Sequence, residues 1–598
     1  MHWFKTESKL AALAVGLLLV ALAWTTQGQA PATSHNVTAS QQDWWKNAVI
    51  YEIYPRSFQD SNGDGIGDLN GITRRLDYLK TLGVDAIWLT PAYPSPQVDF
   101  GYDISDYNNI DPQYGTLADF DRMVAGANKR HIRVIMDMVM NHTSDQHEWF
   151  LKSRASRDNP YRDWYVWHDG KGQTATDKGQ PPNNWQSAFG HSSWEWDEKT
   201  RQYYYHKFYV QQPDVNWENP KIHEAFKDIA AFWLKRGVAG FRFDAITALY
   251  EDPDFIDEDV IKDKNGKPQF NEFGDLVLGN SRTDNLPEVH TVMQEMRAHF
   301  DSFGSKAFPG TRIMIGETYM PNIGELAKQY GTPEHPEFHL PMDTQVAFIN
   351  KMDAAAFRVK LTDAGTGLNG NIPLLLFDNH DRPRIDVRYG DGVHDTDIQR
   401  VLSTVLFATR GAALFYYGDE LGMKTTPPTR KEDVRDPIGI TGWPKEKGRD
   451  GERTPMQWNV SANAGFTTAS AKPWLPVPPS AADLNVEAEK SDPNSLLAWY
   501  RSLIHLKKTV PALATGNNTM LDVTNDKVLS WMRQAPGTPA VIVSLNFTAE
   551  PQTVALAVPG VAAESKVKTL LKSPNSADPA SLNQILLPPF GVYIGEVR

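Results

Sequence analysis

The chain has 598 residues, 41% of them hydrophobic and 22% charged, which is typical of a folded protein with one large domain and one or two smaller ones. Its formal net charge of −13 argues against nucleic-acid binding, which needs a basic surface to neutralise phosphates, and fits a neutral ligand better. The sequence contains no cysteine, which excludes disulfides, cysteine zinc sites and thiol nucleophiles.

Residues 1–32 have the pattern of a signal peptide. Two lysines precede an apolar run at residues 10–24, which is too short for a comfortable membrane span, and small residues follow at Ala30 and Ala32. Cleavage near these alanines predicts an exported protein, periplasmic or extracellular, that is no longer held at a membrane. An uncleaved membrane anchor is the alternative. Residues 33–43 are predicted to form a linker.

From residue 48, short apolar runs alternate with helix-like stretches, which is the pattern of consecutive βαβ units around a parallel sheet. Eight predicted strands indicate a (β/α)8 barrel built from residues 44–140 and 217–510. The predicted strands span residues 48–54, 85–90, 133–139 and 240–243, then 312–315, a weakly marked strand near Phe338, 372–377 and 412–416.

Two segments depart from this alternation. Residues 141–216 are rich in Trp, Tyr, Asp and Gly and lack helical periodicity, so we predict an inserted subdomain B over the barrel mouth after strand 3. After an amphipathic helix at residues 499–507, apolar and polar residues alternate, so residues 511–598 are predicted to form an antiparallel β-sandwich. The predicted fold class is therefore α/β: a TIM barrel with an inserted subdomain and a C-terminal β-sandwich.

Polar side chains follow several predicted strands at their C-terminal ends, where a barrel is open and its loops collect reactive groups. Arg242 and Asp244 end the fourth strand, Glu317 follows the fifth, and His380 and Asp381 follow the seventh. A single carboxylate in such a position is more often a helix cap. Several on one rim indicate a catalytic pocket.

Paired carboxylates suit the cleavage of a glycosidic bond, in which one attacks the anomeric carbon and a protonated partner gives its proton to the leaving oxygen. Side chains alternate along a strand, so Arg242 and Asp244 lie on the same face and the guanidinium can hold the carboxylate ionised. Asp244 is therefore predicted to be the nucleophile. Glu317 has no basic residue nearby in the sequence, which suits a protonated general acid.

Five motifs in this order resemble glycoside hydrolase family 13, the α-amylase family, and within it the oligo-1,6-glucosidase and α-glucosidase branch. The resemblance extends from about Trp44 to the C-terminus. The motifs are DMVMNH at 137–142, QPDVN at 212–216, GFRFDA at 240–245, GET at 316–318 and FDNHD at 377–381.

The resemblance implies a role for each matching residue. Asp244 would be the nucleophile, Glu317 the general acid/base, and Asp381 the carboxylate that grips the sugar hydroxyls and stabilises the transition state. The implied sugar contacts are His142, Arg242 and His380 around the cleaved glucose, Tyr102 stacked on it, and Phe208 and Gln212 on the leaving-group side.

Two further implications concern specificity. Asp99 would pair with Arg453 and hold the non-reducing end of the sugar, which closes the pocket and limits the enzyme to removing one glucose at a time. A solvated surface ion pair is the alternative for these two residues. Ala245 follows the nucleophile where α-1,6-specific members of the branch have Val, so the resemblance favours α-1,4 linkages.

A glycine-rich segment after the first strand has oxygen-bearing residues at alternate positions, which is the start of a calcium-binding loop. Gly71 stands where a bidentate Glu would complete that loop, so water or other groups would have to finish the ion's shell. A polar turn without an ion is the alternative. The predicted donors to a structural Ca2+ are Asp60, Asn62, Asp64, the Ile66 carbonyl and Asp68. No organic cofactor is expected.

Together these features predict an exo-acting retaining α-glucosidase that hydrolyses maltose and short malto-oligosaccharides, with sucrose as a further candidate, and that is a monomer or a weak oligomer. The alternatives are an oligo-1,6-glucosidase and a transglycosylase or sugar isomerase that forms trehalose or isomaltulose. A non-catalytic transporter subunit of the same family is disfavoured, because all three catalytic carboxylates are present and there is no cysteine for a disulfide.

Overall fold

The computed structural model describes residues 43–303, 310–574 and 576–597. The predicted signal peptide, and all but the last residue of the predicted linker, lie outside these ranges. Within them, no helix combines the length and the apolar content that a membrane span requires.

The centre of the described structure is a closed parallel barrel of eight strands. Its first strands are β1 (Val49–Ile53), β2 (Ala86–Leu89) and β3 (Arg133–Val139). The insertion that follows contains β4 (Trp167–His168), β5 (Trp194–Asp197) and β6 (Gln202–Tyr205). The barrel continues with β7 (Gly240–Asp244), β8 (Ile313–Gly316), β9 (Leu340–Asp343), β10 (Leu374–Leu375) and β11 (Ala412–Tyr416).

The order of strands around the barrel is β1-β11-β10-β9-β8-β7-β3-β2, and each neighbouring pair is parallel. This confirms the predicted (β/α)8 barrel. The interior is filled by apolar side chains of alternating strand positions, such as Ile50, Trp88, Ile135 and Leu414. The C-terminal mouth is left for polar groups.

Two barrel strands differ from their predicted bounds by more than one residue at an end, and each has a proline in it or directly before it. The sixth strand was weakly marked near Phe338, and β9 lies just after it and contains Pro341. β10 is confined to two residues because Pro373 directly precedes it. Proline has no backbone N–H for a sheet ladder, and neither strand has the β-branched run that marks a strand in a sequence.

Helices cover the outside of the barrel, and several of them begin with recognisable caps. The helix Leu117–Lys129 starts with a capping box between Thr116 and Asp119, and Pro220–Lys235 starts with Asn219 and a proline in its first turn. The other α-helices span Pro55–Phe58, Leu69–Arg74, Leu76–Leu82, Glu148–Ser153, Glu288–Ser302, Ile323–Lys328, Ala354–Gly367, Ile385–Tyr389, Asp395–Ala408, Pro437–Gly442, Val486–Glu489, Leu496–Thr509 and Pro511–Thr515.

The insertion between β3 and β7 contains a small antiparallel sheet in the order β4-β6-β5. Aromatic side chains form its core, including Trp185, Trp194 and Tyr205. The segment then returns to the barrel through a backbone bridge between His142 and Asp214. The insertion thereby brings its last residues to the barrel mouth.

The C-terminal part of the chain is an antiparallel β-sandwich, as predicted. Its five-stranded sheet has the order β12-β13-β14-β18-β16, a second sheet pairs β15 with β17, and the two share one apolar core. Arg533 ties this domain to the barrel by donating to the Ala408 carbonyl. The strands are β12 (Asn517–Leu521), β13 (Val528–Gln534), β14 (Val541–Asn546), β15 (Gln552–Val554), β16 (Val567–Lys572), β17 (Ile585–Leu587) and β18 (Val592–Val597).

Candidate active site

A cavity of about 420 Å3 opens at the C-terminal mouth of the barrel. It is lined by loops that follow several barrel strands and by the end of the inserted segment. Eight of the predicted site residues line it, namely Asp99, Tyr102, His142, Phe208, Asp244, Ala245, Glu317 and Asp381. The residues predicted to collect at the C-terminal ends of the strands therefore line one continuous pocket.

Arg242 lies at the base of this cavity, fully buried, and contacts three carboxylates. Its Nη1 atom is 2.5 Å from Asp244 Oδ1 and 3.0 Å from Asp137 Oδ1, and its Nη2 atom is 2.6 Å from Glu317 Oε1. The predicted contact between Arg242 and Asp244 is present. Glu317 has no basic residue nearby in the sequence, but Arg242 lies beside it in the structure, because β7 and β8 are neighbours in the barrel.

The charge of Asp244 depends on this arginine. Burial raises the pKa of Asp244 well above its ordinary value, Arg242 opposes that rise, and the nearby Glu317 and Asp137 add to it. Among these groups, the guanidinium alone favours the ionised form of Asp244. Its position therefore supports the counterion role predicted for Arg242.

Ala245, directly after Asp244, turns the chain at the end of β7. Its backbone φ of 45° lies in the left-handed region, and its N–H donates to Glu317 Oε2 at 2.9 Å. Glu317 is therefore held by Arg242 through one oxygen and by a backbone amide through the other. A β-branched residue at position 245 would be strained in this conformation.

His380 connects Asp381 to the first strand of the barrel. Its Nε2 atom is 3.1 Å from Asp381 Oδ2, and its Nδ1 atom is 2.5 Å from Oε1 of Glu52 on β1. Burial opposes a charge on the imidazole, but the two carboxylates outweigh it and raise the pKa of His380 to about 9. Glu52 was missed in the sequence because it lies inside an apolar strand with no motif around it.

Tyr102 and His142 form another wall of the cavity. The Tyr102 ring stacks on His380 at 5.3 Å between centroids, with planes 15° apart, and its hydroxyl donates to Asp137 Oδ2. Burial lowers the pKa of His142 to about 3, so this imidazole is neutral. Phe208 packs against His142 with ring centroids 5.2 Å apart. These placements agree with side chains that surround a neutral sugar.

Gln212 lies elsewhere than predicted. It is fully buried behind the cavity, and its amide donates to Asp99 Oδ2 at 3.2 Å and lies 3.0 Å from His142 Nε2. Its placement on the leaving-group side was therefore wrong. The QPDVN segment returns over the barrel beside β3, which carries Gln212 inward to orient Asp99 and His142.

The predicted pair of Asp99 with Arg453 is also wrong, since the partner of Asp99 is Arg449. Arg449 Nη2 lies 2.8 Å from Asp99 Oδ1, and its Nη1 lies 2.8 Å from Asp381 Oδ1. Arg453 is buried and contacts Asp381 and the His380 carbonyl instead. Both arginines belong to one segment after β11. Their side chains point to different partners, and their positions in the sequence do not reveal which of them reaches Asp99. Asp99 is itself buried, so the surface-pair alternative fails too.

These arginines fix the charge of Asp381. Burial favours the protonated form, but His380, Arg449 and Arg453 outweigh it and hold the pKa of Asp381 well below its ordinary value. Asp381 is therefore a permanent anion at the cavity wall. Asp436, which binds Arg449 Nε at 2.7 Å, keeps that guanidinium in place.

Several residues that line the cavity were not singled out in the sequence, because they lie outside the recognised motifs. Lys207 comes from the inserted segment and donates to Thr283 Oγ1 at 2.9 Å. Burial lowers the pKa of this amine. The further missed residues include Phe189, Asn280, Asp284, Tyr319, Ile438 and Arg449.

The glycine-rich loop has the donor chemistry expected of a calcium site, since its polar atoms are all oxygens or amides. In the structure those carboxylates accept hydrogen bonds within the loop, and nowhere in the described ranges do three or more His, Asp or Glu side chains cluster as a metal site. Asp60 accepts from the amides of Asn62 and Gly63, Asp64 from that of Ile66, and Asp68 from that of Ser61. The calcium site stays a prediction.

Comparison with known proteins agrees with this geometry. Residues 52–516 match the family described as Alpha amylase, catalytic domain. The chain is 38% identical to the oligo-1,6-glucosidase of Parageobacillus thermoglucosidasius over 587 residues, which cover 93% of this chain and 99% of that protein. It is 39% identical to the α-glucosidase of Pediococcus pentosaceus over 80% of this chain and 87% of that protein.

Solved structures give the same result. The trehalulose synthase of Pseudomonas mesoacidophila MX-45 superposes with a TM-score of 0.81 at 36% identity, covering 93% of this chain and 99% of that one. The chain is thus an enzyme, a glycoside hydrolase of the α-glucosidase type. It belongs to glycoside hydrolase family 13, the α-amylase family, in its oligo-1,6-glucosidase and α-glucosidase branch.

Proposed function

We propose that this enzyme removes single glucose units from the non-reducing ends of maltose and short α-1,4-linked oligosaccharides, with retention of the anomeric configuration. The observation that carries the proposal is the closed end of the cavity, where Arg449 joins Asp99 to Asp381. A guanidinium locked between two carboxylates leaves no passage for a longer chain. A substrate can therefore enter only by its end.

The chemistry proceeds by double displacement. Asp244 attacks the anomeric carbon while Glu317 gives its proton to the leaving oxygen, and water that Glu317 deprotonates then releases glucose from the resulting ester. Both carboxylates contact the single guanidinium of Arg242, at 2.5 and 2.6 Å. That arrangement supports a separation on the order of 5 Å, as a retaining enzyme requires.

The remaining groups bind the glucose ring. Asp381, a permanent anion that lines the cavity and is paired with the charged His380, offers acceptors to its hydroxyls. Charge-assisted hydrogen bonds of this kind are stronger than neutral ones. Tyr102 also lines the cavity and adds an aromatic side chain to its wall. Burial of these groups excludes water, which strengthens the interactions that stabilise positive charge at the anomeric centre.

The α-1,4 preference depends on Ala245, whose small side chain leaves room at the cavity wall where a maltose-type leaving group would lie. Glucosyl transfer to a second sugar is the competing outcome, since the covalent intermediate is the same and a trehalulose synthase has a similar structure. We assign hydrolysis because FDNHDRPR, at residues 377–384, is more similar to hydrolases than to isomerases.

A substrate panel tests the proposal. Purified enzyme is incubated separately with maltose, isomaltose, sucrose and soluble starch, and the products are separated by chromatography. Fastest release of free glucose from maltose, with retained configuration by proton NMR, supports it. Faster cleavage of isomaltose, early release of maltotriose from starch, or isomaltulose formed from sucrose would each overturn part of it.

Two further expectations come from the sequence. The segment at residues 60–68 is proposed to bind one structural Ca2+, and the first 32 residues are proposed to direct export and then to be removed. N-terminal sequencing of the mature protein from its native host tests the second expectation. A mature chain that still begins at Met1 would contradict cleavage.

A further inference from the structure

A second cavity, here called the junction cavity, lies where the barrel meets the C-terminal sandwich. It has a volume of about 300 Å3. Its lining includes Pro373 just before β10, Thr409 and Arg410 just before β11, and Asn517 at the start of β12. These are the N-terminal ends of the barrel strands, and none of the lining residues belongs to the catalytic cavity. The junction cavity is therefore a separate space at the opposite end of the barrel.

Three neutral polar side chains line the junction cavity with unused hydrogen-bonding groups. Thr409 is 3% exposed, and its hydroxyl has no hydrogen-bond partner among the described residues. Asn518 accepts from the Arg410 amide through Oδ1 at 3.3 Å, which leaves its NH2 group as a donor. A buried hydroxyl without a partner lowers stability, so a ligand that accepts from Thr409 would remove that cost.

Arg410 adds a positive charge to the lining, and two buried cations lie close to it. Arg533 is opposite Asn518 in the ladder between β12 and β13, and Lys507 donates to the carbonyl of Gly411, the residue after Arg410. All three cations donate to backbone carbonyls, at 2.7 Å for Lys507 and 2.9 Å for Arg410 Nη1. None of the three forms an ion pair within the described part of the chain.

The proximity of these cations lowers two of their pKa values. Burial and the charge of Arg410 lower the pKa of Arg533 to about 9. Burial and the charge of Arg533 lower the pKa of Lys507 to about 7, and Asp85 offsets only part of that decrease. Among the described residues, no Asp or Glu side chain lines the junction cavity. The cavity therefore lies beside a surplus of buried positive charge, which a bound anion would offset.

The rest of the lining is apolar and leaves open space. Leu361, Pro373 and Leu375 contribute hydrocarbon surface. A Cβ atom added at Gly365 or at Gly370 would meet no atom within 4 Å. The junction cavity thus combines donors and positive charge with an apolar wall, and its volume suits a small molecule.

We propose that the junction cavity binds a small organic carboxylate. The carboxylate group accepts hydrogen bonds from Arg410, Thr409 and Asn518, and the hydrocarbon part of the ligand packs on Leu361 and Pro373. A neutral sugar would leave the positive charge uncompensated, whereas an inorganic anion would leave the apolar wall without a partner. The bound carboxylate ties the barrel to the sandwich and stabilises the fold, and this role is independent of the proposed glucosidase function.

The test uses sodium butyrate and sodium benzoate as probes on the full-length protein. Calorimetric titration measures affinity, and melting temperature is measured at constant ionic strength. A saturable rise in melting temperature with either carboxylate is expected. Butyramide, which has the same hydrocarbon part but no charge, and sodium sulfate, which has the charge but no hydrocarbon part, should give no comparable rise.

Three variants locate the binding site. Arg410→Gln is expected to weaken binding about 10- to 100-fold, because it removes a charge-assisted hydrogen bond. Thr409→Val is expected to weaken binding roughly two- to ten-fold and to melt no lower than the wild type without ligand, because it replaces an unpartnered hydroxyl. Gly365→Leu should abolish binding by filling the cavity. Ala355→Leu is its matched control, since Ala355 is an exposed position on the same helix that does not line the cavity.

The expected result is loss of binding in Gly365→Leu and retention of binding in Ala355→Leu, with kcat/KM for maltose unchanged in both. Three outcomes would overturn the proposal: neither carboxylate binds to the wild type, sulfate or butyramide stabilises it as well as butyrate does, or Gly365→Leu binds as tightly as its control. Thr409→Val and Gly365→Leu keep the test decisive if Arg410→Gln fails to fold.

Discussion

The guanidinium of Arg449 lies 2.8 Å from Asp99 Oδ1 and forms the closed end of the catalytic cavity. The same guanidinium contacts Asp381, so one side chain couples the end of the pocket to the predicted transition-state carboxylate. In the proposed exo-acting mechanism, chain-end recognition and catalysis therefore share a residue. Substitution at this position should affect both.

Replacing Arg449 by Gln is expected to lower kcat/KM for maltose about 10- to 100-fold, because charge-assisted hydrogen bonds contribute roughly 1.5–3 kcal/mol. Steady-state kinetics on maltose measure the change. Arg430→Gln is the matched control, since Arg430 is largely exposed and pairs with Asp433. Equal activity of Arg449→Gln and the control would remove Arg449 from the binding site.

Asp244, the predicted nucleophile, gives a prediction with opposite effects on activity and stability. Asp244→Asn is expected to lower kcat by at least about 10⁴-fold, as loss of a nucleophile does. Because burial raises the pKa of Asp244, its ionised form at neutral pH destabilises the folded state, and a neutral amide should raise the melting temperature. Calorimetry measures the change in melting temperature, and steady-state kinetics on the same preparation measure the change in kcat. Asp254→Asn, at an exposed position, should change neither.

The charge on His380 predicts how stability responds to alkali. Its folded pKa of about 9 is above its ordinary value of 6.5, so this group contributes stability that is fully present below pH 6.5 and lost as pH rises through 9. Glu52→Gln removes one of the two carboxylates that raise this pKa. The alkaline decline in melting temperature should therefore move to lower pH, whereas Glu224→Gln, on an exposed helix position, should leave it in place.

The sequence revealed the parts of this site that depend on local geometry. Arg242 and Asp244 are two residues apart on one strand, so strand alternation alone places them together. Arg449 and Glu52 were missed because their roles depend on which loops and strands meet in space. Gln212 was misplaced for the same reason, since its direction is set by how the inserted segment returns over β3. These contacts depend on which strands and loops are neighbours in the folded barrel, and sequence motifs do not contain that information.

Calcium binding at residues 60–68 predicts a response to chelators. An ion bound only by the folded state stabilises it, so EDTA is expected to lower the melting temperature, and added Ca2+ should restore it more fully than Mg2+. Asp64→Asn should weaken the response, because it removes one charged donor from an exposed part of the loop. A melting temperature that EDTA leaves unchanged would favour the alternative of a polar turn held by its own hydrogen bonds.

Ala245 predicts a coupled change in linkage preference and stability. Its left-handed backbone, at φ 45°, tolerates a β-branched side chain poorly, so Ala245→Val is expected to lower the melting temperature while narrowing the cavity wall. The ratio of kcat/KM for maltose to that for isomaltose should fall, because the added methyl groups crowd the α-1,4 leaving group. Ala245→Gly is the matched control, since glycine adopts positive φ without strain and adds no bulk. Ala245→Gly should keep the preference for maltose. If both variants prefer isomaltose, or if neither does, side-chain size at position 245 does not determine which glycosidic linkage the enzyme prefers.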